Sequence, residues 1–377
     1  MTKGNSFSNL IYNYLFCKEH QWCEIVAKNR SMNKFRLVIL LLFLACLNNK
    51  ALGQDPQFSQ YYAAPLYLNP GLVGINGEGR AGINYRNQWP SIDANFETFS
   101  AWVDYNFNFN SSGGLIITRD REGLAGLSST SIGLQYAYEL ELNSKWMFRP
   151  GVQLSYTTRD LNFNKLTFGD QFDNTGLVNP TSTELLDSGL KVNYLDMAFG
   201  GMFFSNNLWL GGVMHNIFEP DQSLIAGDGV SSPLPRRFSL HGGYKLPLRV
   251  GSHGKGTTPD GKERSVTPSF NYRSQGKFDQ LDLGIFFTLE PVILGLWYRG
   301  IPIKTVDGFS NHESIIVHLG LTKGIATFGY SYDLTISELG VNTGGAHEVS
   351  LIYNFRIGLP KPPKDVQRLR CPVPFIF

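Results

Sequence analysis

Ala326 to Asp333, ATFGYSYD, is the stretch whose reading decides the fold. Ala326, Phe328, Tyr330 and Tyr332 fall on one parity, while Thr327, Gly329, Ser331 and Asp333 fall on the other. Successive side chains of a β-strand point to opposite faces, so this ribbon has one apolar and one polar side. The rule recurs downstream, where Val349, Leu351, Tyr353 and Phe355 alternate with Ser350, Ile352, Asn354 and Arg356. It recurs upstream as Ile132, Leu134, Tyr136 and Tyr138 set against Ser131, Gly133, Gln135 and Ala137.

Working outward, the same period divides 79–357 into about fourteen segments bounded by Gly, Asn, Ser and Pro. The expected strands are 79–89, 96–109, 113–119, 127–142, 145–158, 192–205, 208–217, 236–248, 264–274, 278–289, 291–300, 313–322, 325–335 and 347–357. An apolar face repeated over this many ribbons predicts an all-β transmembrane antiparallel β-barrel, its apolar set toward lipid and its polar set toward the lumen. Hydrocarbon offers no partner to an open sheet edge, so the sheet must close.

Short connections, such as Asn143-Ser144, Asn206-Asn207 and Lys323-Gly324, fall on the end where the barrel begins. Long ones, 159–191, 218–235, 301–312 and 336–346, fall on the other, as periplasmic turns and external loops should. Connection 249–263 breaks the rule by being long at the short end, and Gln275 to Lys277 by being short at the long end. Its GSHGKGTTPDGK lacks the Gly-Lys-Ser/Thr ending of a phosphate loop and reads as a flexible turn.

Composition agrees. Aromatic residues make up 13% of the chain, charged residues only 17%, and mean hydropathy is -0.14, low for a bundle of spanning helices. The one strongly apolar segment, Leu37 to Leu47, follows Lys34 and Arg36 and precedes Ala51-Leu52-Gly53, the layout of a signal peptide. The expected organisation is a leader over 1–53 with its true start at Met32, a periplasmic or lumen-entering N-terminal arm over 54–78, the barrel over 79–357 and a Pro-rich basic tail over 358–377. Phe43-Leu44-Ala45-Cys46 approximates a lipobox, the rival reading of that leader. Past the leader only Cys371 remains, which excludes a disulfide framework and a Cys-based zinc site. The same part holds 26 Lys and Arg against 29 Asp and Glu, no footprint for nucleic acid.

No catalytic constellation stands out. His215, His241, His253, His312, His318 and His347 are scattered without metal-ligand spacing. Ser239 and His241, two apart on one strand face, are the candidate Ser/His pair for a lipid-modifying barrel enzyme. Asp104, Asp196, Asp282 and Asp333 sit at lumenal positions, where they are expected to line a wet interior. A passive diffusion channel is the rival from another class, because about fourteen strands leave room for a pore.

Three further stretches carry a resemblance: DPQFSQYY at Asp55, YLNPGLVG at Tyr67 and GINYRNQWP at Gly82. In this order they resemble the start of mature PorP/SprF proteins, outer-membrane components of type IX secretion and gliding in Bacteroidota. The resemblance extends to Cys371, since RLRCPV looks like the short Cys-Pro ending of many members, here continued by PFIF. It implies a non-enzymatic part in exporting and anchoring a large adhesin through that partner's C-terminal domain. Peptidoglycan-binding or motor-associated proteins are the implied periplasmic partners, with arm and tail expected to face them. FGDQFD and the His-Asn-x-x-x-Pro segment followed by Leu-Pro match the family's pattern. They nominate Phe168, Asp170, Phe172, Asn216, Pro220, Leu234 and Pro235 as partner-binding residues.

Overall fold

In the computed structural model, residues 55–93, 95–108, 110–123, 126–161, 169–173, 176–177, 191–224, 231–248, 262–306, 309–337, 340–356, 369 and 371–374 are described. The leader, the 249–261 turn and most of the tail lie outside them. Sixteen segments form one antiparallel sheet, and two of them, Leu140–Asn143 and Leu246–Pro247, merely prolong the strand before them. The fourteen strands are β1 Gly79–Gln88, β2 Phe96–Asn106, β3 Ser111–Glu122, β4 Leu127–Tyr138 and β5 Trp146–Asp160. Next come β6 Lys191–Phe204, β7 Leu208–His215, β8 Arg237–Tyr244, β9 Arg264–Gln275 and β10 Phe278–Leu289. The last are β11 Val292–Val306, β12 Phe309–Lys323, β13 Ala326–Thr335 and β14 Ala346–Phe355.

Each strand pairs with its sequence neighbours, and β1 pairs with β14 from Gly79↔Phe355 to Gln88↔Ala346, so the barrel closes. Its faces are inverted relative to a water-soluble protein. Leu134, Val317 and Leu154 are 63%, 54% and 51% exposed on the outside, whereas Arg299, Glu348 and Asp282 are fully buried inside. Exposed apolar surface costs roughly 25 cal/mol per Å² in water, so only hydrocarbon makes this outer wall stable.

One connection differs from its sequence reading. The expected loop 301–312 is instead a continuation of β11 and β12, which pair out to Val306↔Phe309 past register shifts after Arg299 and Ile301. Gly300 stands at the first shift with φ 143, a conformation that suits glycine. Pro302 and the two shifts break the period of two, so the pattern that revealed the other strand ends was lacking.

The lumen is packed rather than wet. Residues 55–78 lie inside it and run from the long-loop end down to the short-turn end, where the chain turns into β1. Asp55 meets Asn216 and Gln275 at the strand ends of the external side, and Gly74 meets Asp104 near the periplasmic turns. The arm is therefore enclosed by the barrel wall, the lumenal of the two placements read from the sequence, and is not turned toward periplasmic partners. Cys371–Pro374 of the tail are also buried, with Cys371 and Val373 in the same core as Leu72 and Val73.

Candidate functional site: the arm and the outer vestibule

Arm residues with no apolar alternation still supply the largest buried cluster, because the Pro-broken backbone folds into short helical turns at Tyr61–Ala63, Pro65–Leu68 and Pro70–Leu72. Halfway down, Tyr61 packs edge-on against Trp297 at 5.2 Å, and Tyr62 meets Trp209 at 5.9 Å and accepts its indole N–H at 3.2 Å. Phe286 joins this belt at 5.2 Å from Trp297. Such rings, each contributing about 1.5–3 kcal/mol when buried, stop the lumen at mid-height.

Close contact with the wall is made possible by wall glycines. A Cβ at Gly151 would lie 2.4 Å from the Pro70 carbonyl carbon, and one at Gly200 would lie 2.3 Å from Asn69 Oδ1. Asn69 Oδ1 caps the last turn by accepting from Gly71 N at 2.9 Å, while its Nδ2 donates to the Gly201 and Gly212 carbonyls at 3.2 Å.

Charges lock both ends of the arm. Below the belt, Arg80 pairs with Asp104 and donates to the Leu72 carbonyl at 3.0 Å, and Arg149 pairs with Glu139 and donates to the Gly71 and Val73 carbonyls. Above it, Glu348 accepts the Ser59 and Gln60 amides at 2.6 and 3.0 Å. Arg86 and Arg299 both donate to Ser59 Oγ and to Asp333, at 2.6 to 3.0 Å, and Arg299 also donates to Asp282 at 3.0 Å. Buried arginines are tolerable here because carboxylates and arm groups pair with them, although Arg86 Nε is left without a partner. Asp104, Asp282 and Asp333, expected at a wet surface, are members of these buried pairs. Asp196, also buried, accepts the Phe218 amide at 3.2 Å.

At the outer end the first arm residues cross a vestibule. Three cavities of about 140, 490 and 250 Å³ open there, and Asp55 borders each. Its carboxylate Oδ2 accepts from Asn216 Nδ2 at 2.8 Å and pairs with Arg237 Nη1 at 3.1 Å, and its amide donates to Gln275 Oε1 at 3.0 Å. Asn216 Nδ2 and Gln275 Nε2 also donate to the Pro235 carbonyl, at 3.3 and 3.2 Å. The Arg237 guanidinium lies over the Tyr67 ring, 5.3 Å from its centroid. Burial pushes the Tyr67 phenol above its ordinary value, so it stays a neutral donor to the Pro56 carbonyl.

The nominated residues separate into two groups. Asn216 takes a left-handed φ of 57°, which Asn tolerates, and with Pro220, Leu234 and Pro235 it builds the wall that holds Asp55. Leu234 N donates to the Pro220 carbonyl at 2.9 Å. Phe172, 51% exposed, lies on a small hairpin formed by Phe172–Asp173 and Gly176–Leu177. Asp170 occupies the turn Gly169–Gln171, and Phe168 lies outside the described residues. Phe218, 57% exposed, was not singled out from the sequence. Asp55, Arg237, Arg299 and Glu348 were also missed, although Arg at lumenal parity in strand after strand (Arg80, Arg86, Arg149, Arg237, Arg273, Arg299) signals an interior holding something to pair with.

Ser239 and His241 both face the interior, but His241 Nε2 lies 3.2 Å from Asn69 Nδ2 and its ring packs on Tyr62. Among the described residues no group of three His, Cys, Asp or Glu could hold a metal ion.

A closed fourteen-stranded barrel with a lipid-facing apolar wall and a lumen filled by its own N-terminal segment defines a plugged outer-membrane protein. Its sequence places it further: residues 51–353 match the type IX secretion system membrane protein PorP/SprF, and the chain belongs to that family. No curated protein matches it. Among solved structures it is similar to the CymD monoaromatic hydrocarbon channel, at 10% identity over 78% of this chain and 93% of that one, with a TM-score of 0.43. The P. putida toluene transporter TodX is similar at 12% identity over 77% and 93%, TM-score 0.38. The Acinetobacter baumannii outer membrane protein Omp33 is similar at 7% identity over 74% and 98%, TM-score 0.38.

Proposed function

We propose that this barrel, as a type IX secretion component, helps export a large adhesin-type protein and holds it at the cell surface through that protein's C-terminal domain. The reading is non-enzymatic and includes a part in gliding. One observation carries it: the lumen is stopped by the arm, while the external connections carry exposed aromatics, Phe172 and Phe218, and the lumen mouth is a vestibule lined by polar residues. Rim aromatics on long loops suit docking of a polypeptide. A diffusion channel is disfavoured by the ring belt at Tyr61, Tyr62, Trp209 and Trp297, and a lipid-modifying enzyme by the arm covering Ser239 and His241. Periplasmic peptidoglycan-binding or motor-associated partners would meet the short-turn end and the tail.

The test is recovery of the secreted partner with the barrel from intact cells. Phe172→Asp with Phe218→Asp should lower that recovery at least about tenfold while leaving barrel folding intact, since each change is on a loop. Equal recovery from the double variant would count against the outer rim as the grip.

A further inference from the structure

We infer that the outer vestibule contains a receptor site for an acidic side chain of an extended polypeptide, and that Asp55 of the arm is its resident occupant. The inference rests on the outer mouth being a docking face for a secreted polypeptide, as proposed above. Its argument is the shape of the cradle. One carboxylate oxygen receives an arginine and an asparagine N–H, the adjoining backbone N–H donates to Gln275 Oε1, and all three partners belong to the barrel. Such a set recognises an Asp or Glu within a chain, because it reads a carboxylate together with the amide beside it.

Two features make the site exchangeable. Arg237 is 8% exposed and its buried Nε has no partner, so a carboxylate that takes the place of Asp55 finds a donor still free in the cradle. The cradle also borders the 490 Å³ cavity, into which Arg273 projects beside Gln57 and Gln280. An incoming chain therefore has room to lie beside residues 55–57 before displacing them. Below Ser59 the arm is fixed by the Glu348 and Arg299 contacts, so displacement of its first residues need not unseat the rest. Tethered to the barrel, Asp55 competes at an effective concentration in the millimolar range, which sets a threshold that a partner must exceed.

The experiment uses the purified full barrel in detergent and a fluorescent hexapeptide with the arm's own sequence, QDPQFS, acetylated and amidated so that its one charge is the Asp carboxylate. Binding is read by anisotropy, and each variant's fold is checked by its heat-modifiable gel mobility. Asp55→Asn should bind the peptide about tenfold or more tightly than the unmutated protein, because the internal competitor loses its charge. Arg237→Gln should weaken binding by roughly thirtyfold or more. A peptide with Asn in place of Asp should bind poorly to all three, and this comparison holds on the unmutated protein alone if a variant fails to fold. Equal binding of the two peptides, or no tightening in Asp55→Asn, would overturn the inference. This assay contains no secretion partner, so its failure leaves the recovery test standing, and failure of the recovery test leaves this binding measurement standing.

Discussion

Replacing Arg299 with Met keeps most of the side-chain volume and removes the cation at the centre of the upper lock. Arg299 is fully buried and contacts Asp282, Asp333 and Ser59 at 3.0 Å each, with Glu313 at 3.7 Å. After the change Asp333 retains Arg86 at 2.9 Å, but the nearest cation to Asp282 is Arg273 at 3.8 Å. Three buried carboxylates, Asp282, Asp333 and Glu348, then share two arginines. Breaking a buried pair by removing one partner costs about 3–5 kcal/mol, which is roughly a hundred- to a four-thousandfold in an equilibrium. The loss falls on the arm as well as the wall, because Ser59 is part of the same cluster. In detergent, Arg299→Met should lose its heat-modifiable band at a lower temperature and expose the arm to protease. Adding Asp282→Asn removes the carboxylate left poorly paired and should recover part of the loss, beyond what two independent changes would give. An Arg299→Met barrel as stable as its parent, with its arm still protected, would refute the lock.

Three other outcomes follow from the same geometry. Gly151→Leu drives a side chain into Pro70, already 2.4 Å from a Cβ at that position, and should unseat the lower arm, detected as protease cleavage between 55 and 78 while the barrel stays folded. Burial pushes the Cys371 thiol up to about 12, so at pH 8 it should react with maleimide about a thousandfold more slowly than an ordinary thiol until the protein is denatured. That raised value means the stability drawn from burying the neutral thiol is complete below the ordinary thiol range and is lost as pH climbs toward 12. An epitope placed between Gln54 and Asp55 should bind antibody on intact cells, because Asp55 lies beside Asn216 and Gln275 at the external end; labelling only after permeabilisation would invert the orientation.

The wall was legible in the sequence because lipid on one side and polar groups on the other force a period of two, and Ala326–Thr335 obeys it from end to end. Where that period breaks, legibility stops. The 300–313 hairpin extends beyond the register shifts at Arg299 and Ile301; Asp307-Gly308 is a hairpin turn signal, but Pro302 and the shifts break the period of two before it, so the segment reads as a loop. The arm was hidden for a different reason. Pro56, Pro65 and Pro70 correctly argued against strand pairing, but a segment that also carries Phe58, Tyr61, Tyr62, Leu66 and Leu72 is too apolar to lie in water. Its place depends on glycines and arginines more than a hundred residues away, such as Gly200 and Arg299, which local pattern cannot connect. Asn216, Leu234 and Pro235 were nominated as partner-binding through their motif, and the carboxylate that Asn216 holds belongs to the opposite end of the chain.

Single-channel recording of the purified barrel in a planar bilayer tests the plugged lumen most directly. The intact protein should insert without steady ion current, and a variant lacking 55–74 should show discrete conducting steps, as an emptied barrel of this size would. Steps of equal size from both proteins would contradict an arm that fills the lumen.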